Sequence, residues 1–241
     1  TRLRNYKVMY GLSLNKDLLN LIEGKRVALV GPAPHLIGEG NGHLIDDYDI
    51  VIRVNRICVP TEHRNDFGHR TDILIHNLGA KYMGQLENEI SEYGREWDSL
   101  KMGCCLATKC KGRERIHKMA PNWISPVVSH FKSINRNNIP FYWIGVPDYH
   151  KIWNACGQHE PNQGCLAMIV LAHYPVQELF ITGFTFFQNS DTIEGTYYSG
   201  YNGGRVGGHG GQPEQMDAFR KCYHKAKDRI KLDSVLEKII G

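Results

Sequence analysis

The residues best suited to acid–base chemistry lie near the carboxyl end, where His209 and Glu214 occur in the sequence HGGQPE. A histidine is mostly neutral at pH 7, because its unperturbed pKa is near 6.5, so it can accept a proton from a hydroxyl group. Glu214 could orient that imidazole or cap a helix. Glycines on both sides of His209 predict an open backbone that could order over a ligand. The alternative is a histidine that only decorates a glycine-rich loop.

A second candidate region is the glycine-rich stretch that follows the apolar run 27–30. Gly31 ends this run, and Gly38, Gly40 and Gly42 follow in the loop. Glycines let backbone N–H groups approach a phosphate closely, and a loop after a parallel strand lies at the carboxyl edge of its sheet. The spacing matches neither the dinucleotide fingerprint nor the phosphate-loop lysine pattern. It therefore predicts either a nucleotide-handling α/β protein or a loop that merely turns.

The elements that must position these residues alternate along the chain. Short apolar runs predict strands at 27–30, 50–54, 73–75, 141–144 and 179–182. Helical spacing predicts a helix over 13–24 capped by Ser13, another over 162–173 with Pro161 in its first turn, and one or two helices over 214–240. Strands that alternate with helices predict a doubly wound α/β structure, which we expect to be a single domain over 1–241.

Composition excludes several classes of protein. The chain has 241 residues, of which 41% are hydrophobic and 22% charged, so it is neither disordered, collagen-like nor a disulfide-dense miniprotein. A net charge of +4 favours an anionic partner without requiring nucleic acid. No apolar run is long enough to span a membrane and no signal peptide opens the chain, although Thr1 leaves open an anchor that was removed. Seven cysteines without regular spacing favour reduced thiols in a cytosolic protein.

Two further patterns leave alternatives open. The basic stretch 101–118 is either a solvated surface or a rim for an anionic acceptor, and its Cys104, Cys105, Cys110 and His117 lack the paired spacing of a zinc site. The sequence Asp47-Tyr48-Asp49 has the form of a metal-binding carboxylate pair, but it precedes its strand. We therefore expect no metal ligands.

Several segments resemble the motifs of one family. Residues 27–55, VALVGPAPHLIGEGNGHLIDDYDIVIRVN, are similar to the large sialylmotif of the eukaryotic-type sialyltransferases, glycosyltransferase family 29, and the similarity continues through 66–71. Residues 161–164 and 181–184 resemble the small motif. Tyr197-Tyr198 loosely resembles the third motif, and 209–214 resembles the very small motif. The four elements occur in the family's order.

The resemblance implies a Rossmann-like variant of the GT-A fold and a metal-independent glycosyltransferase without a cofactor. The reaction would be a single inverting displacement in which His209 acts as general base and Glu214 assists it. The donor nucleotide would contact the loop after the first strand, Asn55, the turn at 162–164, the end of a late strand and the third motif. The implied donor-binding residues are Gly31, Pro32, Ala33, Asn55, Asn162, Gln163, Gly164, Gly183, Phe184 and Tyr198.

Departures from the family pattern bear on the substrates and the compartment. Pro32 replaces an asparagine, and Asn162 and Gln163 replace hydroxyl residues. Val27 and Val176 stand where the family has a disulfide, which a reducing compartment permits. We therefore expect a cytoplasmic bacterial, phage or virus-encoded enzyme rather than one of the Golgi lumen.

The expected reaction transfers sialic acid or Kdo from a CMP-sugar to a glycan hydroxyl. We favour a glycan over DNA as the acceptor partner. The alternatives are a transferase that uses another nucleotide sugar on modified DNA bases, and a non-catalytic nucleotide- or glycan-binding module. The sequence does not determine the oligomeric state.

Overall fold

Seven parallel strands form one sheet at the centre of the computed structural model, which describes residues 9–78, 80–106, 124–135, 137–188 and 211–241. The strand order is β5-β4-β3-β2-β1-β6-β7. The strands are β1 (Arg26–Val30), β2 (Ile50–Val54), β3 (Ile73–Ile75), β4 (Met102–Cys105), β5 (Phe141–Trp143), β6 (Glu178–Thr182) and β7 (Ile230–Leu232).

Helices cover both faces of this sheet. They are α1 (Lys16–Ile22), α2 (Gly42–Asp46), α3 (Arg64–Phe67), α4 (Ala80–Glu92), α5 (Gly94–Asp98), α6 (Ile124–Ile134), α7 (Val146–Ala155), α8 (Gln163–Leu171), α9 (Gln212–Lys225) and α10 (Ser234–Ile240). Short 3-10 turns occupy Met9–Gly11, Pro34–Leu36 and Thr61–His63. The expected α/β architecture with a parallel sheet is confirmed.

The alternation of side chains along β1 and β6 divides the core in two. Val27 and Leu29 point to one face, where they pack with α8 and with Leu179 of β6. Ala28 and Val30 point to the other face, where they pack with α2. A strand that buries both faces has no polar alternation, which explains the continuous apolar runs in the sequence.

Several predicted boundaries need correction. Asn15, rather than Ser13, caps α1, because its side-chain oxygen accepts the N–H of Leu18. Pro161 lies before the α8 cap, Asn162, and not in the first helical turn. Helix α9 begins at Gln212, before Glu214. The predicted strand at 141–144 ends at Trp143.

Two strands were not predicted. β7 lies within the stretch expected to be helical, and Lys231 interrupts the apolar run that marked the other short strands. β4 lies within the basic stretch 101–118, and its Cys104 and Cys105 are buried strand residues rather than zinc ligands. Lys101 pairs with Asp72 at 2.9 Å. The remaining basic residues of that stretch, with Cys110 and His117, lie outside the described residues.

Asp47 and Asp49 lie at the amino end of the sheet. Asp47 forms an ion pair with Arg26 at 3.2 Å, and Asp49 accepts the backbone N–H of Arg26 at 2.8 Å. Both carboxylates therefore hold the start of β1 and lie at the edge opposite the predicted site. Across the described ranges, no group of three or more His, Cys, Asp or Glu side chains is arranged to hold a metal ion.

Candidate functional site

The loops after β1 and β6 meet at the carboxyl edge of the sheet through two glycines. The N–H of Gly31 donates to Thr182 O at 2.8 Å, and the N–H of Ala33 donates to Gly183 O at 3.0 Å. A Cβ on Gly31 would lie 2.3 Å from the carbonyl oxygen of Gly183, and a Cβ on Gly183 equally close to that of Gly31. Gly183 also has a φ of 77°, in the left-handed region. Both positions therefore require glycine.

The ring of Phe184 joins this loop pair to the start of α8. A Cβ on Gly31 and a Cβ on Gly164 would each lie 2.7 Å from the same ring carbon, Cε1. The two segments that resemble the large and small motifs therefore lie against one side chain. Pro32 and Ala33 are buried beside them. The sequence placed these residues in one site, and the structure brings them together.

Asn162 organises the start of α8. Its Oδ1 accepts the N–H of Cys165 at 2.9 Å, and its backbone carbonyl accepts the N–H of Leu166. An α-helix leaves its first N–H groups without helical acceptors. After these two contacts, the N–H groups of Gln163 and Gly164 remain for a ligand at the positive end of the helix dipole. Asn162 is thus primarily a helix cap, whose side-chain oxygen is already used.

At this edge of the sheet, two buried acceptor atoms have no donor among the described residues. They are Oδ1 of Asn55, which follows β2, and Oε1 of Gln163, the first residue of α8. Asn55 has a φ of 63° and its N–H donates to Ile75 O at 2.7 Å, so its backbone is fixed. A buried acceptor without a donor costs about 1–3 kcal/mol. Hydroxyl or amino groups of a ligand would remove that cost.

Glu214 lies in the first turn of α9 and is exposed. Its Cγ lies near Gly157, since a Cβ there would be 2.8 Å away. An acidic side chain in the first turn of a helix is stabilised, because the helix dipole is positive there. Tyr198 and His209 lie outside the described residues. Their assigned roles stay predictions.

Two residues beside the site were not predicted from the sequence. Gln215 is fully buried, and its Oε1 accepts from both the N–H and the side-chain amide of Asn162. His159 lies against Gly211, the N-cap residue of α9. A Cβ on Gly211 would be 2.3 Å from Cδ2 of His159. Gln215 directly follows Glu214 of the very small motif, which was the available signal. No spacing pattern marked His159.

The described cysteines are buried and form no disulfide with one another. Burial raises the pKa of Cys222 to about 12 and raises that of Cys165 well above its usual value. These thiols are therefore uncharged and unsuited to nucleophilic chemistry. Val27 and Val176, which stand where the resembled family has cysteines, are buried in one apolar cluster. In the same described part of the chain, no helix has the length and apolar character needed to cross a bilayer.

Comparison with known proteins gives one family and one fold. Residues 13–103 match the family model "Glycosyltransferase family 29 (sialyltransferase)". This match confirms the resemblance of the large-motif segment and the assignment as a glycosyltransferase, while the segments that resemble the other motifs lie outside the matched residues. No curated protein matches the chain.

Solved structures of mammalian sialyltransferases are similar to this chain. One, in complex with Gal-β-1-3GalNAc-ortho-nitrophenol, is 16% identical with a TM-score of 0.50, over 91% of this chain and 73% of the other. A second is 13% identical with a TM-score of 0.49, over 90% of this chain and 76% of the other. At 16% identity, the first likeness establishes the fold, which is GT-A-like.

Proposed function

We propose that this sialyltransferase-family glycosyltransferase moves an acidic sugar, sialic acid or Kdo, from a CMP-sugar to a hydroxyl of a glycan. The observation that carries the proposal is the pair of buried acceptors, Asn55 Oδ1 and Gln163 Oε1, at the edge where Phe184 joins the two motif segments. Both atoms accept hydrogen bonds and cannot bind phosphate oxygens directly. They suit the ribose hydroxyls and the amino group of cytosine.

The start of α8 supplies the complementary chemistry. The N–H groups of Gln163 and Gly164 point out of the helix at its positive end, where they suit the phosphate of the donor. A CMP-sugar carries a single phosphate, so it needs no second cluster of donors. We therefore assign the nucleotide to the junction of the β1 loop, Asn55 and the start of α8.

The chemical step follows from the predicted role of His209. The neutral imidazole takes the proton of the acceptor hydroxyl as its oxygen attacks the anomeric carbon, and the bond to the phosphate breaks as the new bond forms. The configuration inverts, and CMP leaves. Glu214 supports the orientation of this segment. We propose that the reaction needs no metal or cofactor and that the enzyme works in a reducing compartment, where the Val27 and Val176 pair replaces a disulfide.

A thermal-shift series with CMP, UDP, GDP and ADP tests the donor assignment. A ligand that binds only the folded state adds RT ln(1 + [L]/Kd) to stability, which is about 2.7 kcal/mol at a hundredfold excess over Kd. We expect CMP to raise Tm and the diphosphates to have much smaller effects. A shift with UDP and none with CMP would overturn the donor assignment. Transfer from CMP-sialic acid and CMP-Kdo to glycan acceptors then distinguishes the two sugars.

A further inference from the structure

A cavity of about 240 Å³ lies on the α2 side of the sheet, and none of its lining residues belongs to the proposed nucleotide site. It opens between the β1 loop, α2 and the start of α10. Phe180 and Thr182 of β6 line it, and they pair in register with Ala28 and Val30. These β1 residues face α2, whereas α8 packs against the opposite face through Val27 and Leu29. The sheet therefore separates the cavity from the start of α8.

A hydrogen-bonded pair of His35 and Asp233 forms the polar wall. Oδ2 of Asp233 accepts from Nε2 of His35 at 3.0 Å, from the hydroxyl of Thr182 at 2.9 Å and from the N–H of Gly183 at 2.9 Å. Its other oxygen accepts the N–H of Leu236 at 2.8 Å. Burial raises the pKa of Asp233, but these hydrogen bonds outweigh it and the pKa falls below its usual value. Asp233 is therefore a carboxylate.

This arrangement fixes the tautomer of His35. A carboxylate oxygen only accepts, so Nε2 carries a proton, and Nδ1 is an acceptor in the form of the ring that carries no second proton. Nδ1 is buried and has no hydrogen-bond partner among the described residues. In the uncharged ring, Nδ1 is an oriented acceptor to which a hydroxyl group of a ligand can donate.

The remaining lining selects against anions. It includes the carboxylates Glu39 and Asp233, and neither lysine nor arginine is among the described lining residues. A nucleotide phosphate or a sugar carboxylate would therefore be repelled. The rest of the lining has two polar residues, Asn41 and Ser234, and five apolar ones: Leu36, Leu44, Ile45, Phe180 and Val235. Leu44 is 53% exposed, although it is a large apolar residue.

The size of the cavity limits its ligand. Pockets for drug-sized molecules measure about 300–1,000 Å³. This cavity is smaller, of a volume that suits a single ring. An uncharged ring with a hydroxyl donor on one side and an apolar face on the other has the chemistry of a neutral sugar.

We propose that this cavity binds a neutral sugar ring, with one hydroxyl donating to Nδ1 of His35 and one C–H face against Leu44 and Phe180. The site goes beyond the proposed function, because it would bind sugar whether or not the chain transfers one. No covalent step is involved. Asp233 acts through His35 as a positioning residue.

Titration of ¹⁵N-histidine-labelled protein tests the site. The ligands are methyl β-galactoside and methyl α-glucoside, with CMP and free sialic acid as anionic probes. We expect at least one neutral sugar to shift the imidazole signals of His35 saturably, and the anions to leave them unchanged. The signals are assigned by their absence in His35→Gln.

Two variants locate the binding. His35→Leu should weaken sugar binding about tenfold, the effect of one lost hydrogen bond. Leu44→Trp should abolish binding by filling the cavity from an exposed position. The matched control is His224→Leu, an exposed histidine on α9 that does not line the cavity, and it should bind as the wild type does. Thermal melts confirm that each variant folds.

The results separate this proposal from the previous one. No response of His35 to either sugar at the highest tolerated concentration overturns the cavity assignment, as does unchanged binding by Leu44→Trp. A shift of His35 with CMP overturns it too, because the cavity would then belong to the nucleotide. Failure of CMP to stabilise the wild type counts against the proposed donor and leaves sugar binding here intact.

Discussion

Oε1 of Gln215 accepts two hydrogen bonds from Asn162, one from the backbone N–H at 3.0 Å and one from the side-chain amide at 2.9 Å. Gln215 lies in α9 and Asn162 caps α8, so this contact ties together the starts of two helices at the carboxyl edge of the sheet. The segment resembling the small motif thus depends on the helix that begins in the very small motif.

Replacing Gln215 by methionine should lower the free energy of unfolding by about 1–3 kcal/mol, because two donors of Asn162 lose their acceptor. CMP affinity should fall as well, since the cap of α8 loses its support. Urea unfolding and isothermal titration measure the two effects. Gln177→Met, at an exposed position before β6, is the control and should change neither. Wild-type stability in Gln215→Met would contradict the role of this contact.

Gly31→Ala should destabilise the protein by about 3 kcal/mol, because the added Cβ would meet the carbonyl of Gly183 at 2.3 Å and the ring of Phe184 at 2.7 Å. Gly84→Ala is the control: in α4 its Cβ has no neighbour within 4 Å. This helical change should instead raise stability by about 0.5–1 kcal/mol. Thermal or urea unfolding of both variants makes the comparison, and equal effects would refute the close approach of the two loops.

Asn55→Gly tests the contribution of the Asn55 side chain without changing the backbone conformation. Glycine retains the φ of 63°, so the loop after β2 keeps its shape while the buried Oδ1 is removed. CMP affinity should fall about tenfold, the effect of one hydrogen bond, while folding stability is preserved. Asn55→Ala should lose stability in addition, since alanine is strained at this φ. Unchanged CMP binding in Asn55→Gly would remove this residue from the nucleotide site.

His209→Ala should lower kcat by about a hundredfold or more and leave CMP affinity nearly unchanged. The reason is that a general base acts on the acceptor hydroxyl and does not hold the nucleotide. Steady-state transfer assays and CMP titration measure the two quantities, with His224→Ala as the exposed control. Full turnover without His209 would require another base, and His159, beside Gly211, would be the next residue to replace.

Lowering the pH should reduce the free energy of unfolding, because Asp233 becomes protonated. Its folded pKa lies below the unfolded value of about 3.9, so the carboxylate contributes stability above that value and loses it as pH falls through the folded pKa. Asp233→Asn should therefore be less stable at pH 6 and lose less stability between pH 5 and pH 3 than the wild type. Urea unfolding between pH 5 and pH 3 measures this loss of stability, and Asp228→Asn, at an exposed position, is the control. An unaltered pH dependence in Asp233→Asn would contradict this linkage.

The sequence predicted the strands whose residues are apolar on both faces and long enough to recognise, such as β1 and β2. It missed β7 because Lys231 interrupts its apolar run within a stretch that has helical spacing, and β4 because its cysteines and the nearby lysines suggested a surface. The meeting of Gly31, Gly164 and Phe184 followed from the resemblance. The contact of Gln215 with Asn162 did not, because it joins residues 53 positions apart through side-chain geometry.

The position of the Phe184 ring makes the residues at positions 31, 164 and 184 interdependent. The ring fills the space that side chains at Gly31 and Gly164 would occupy. An alanine at 164 should therefore be accepted only with a smaller residue at 184, and the double change should be less harmful than the sum of the single ones. Variation at these positions should consequently be correlated, and attempts to broaden the enzyme's choice of donor should alter them as a group.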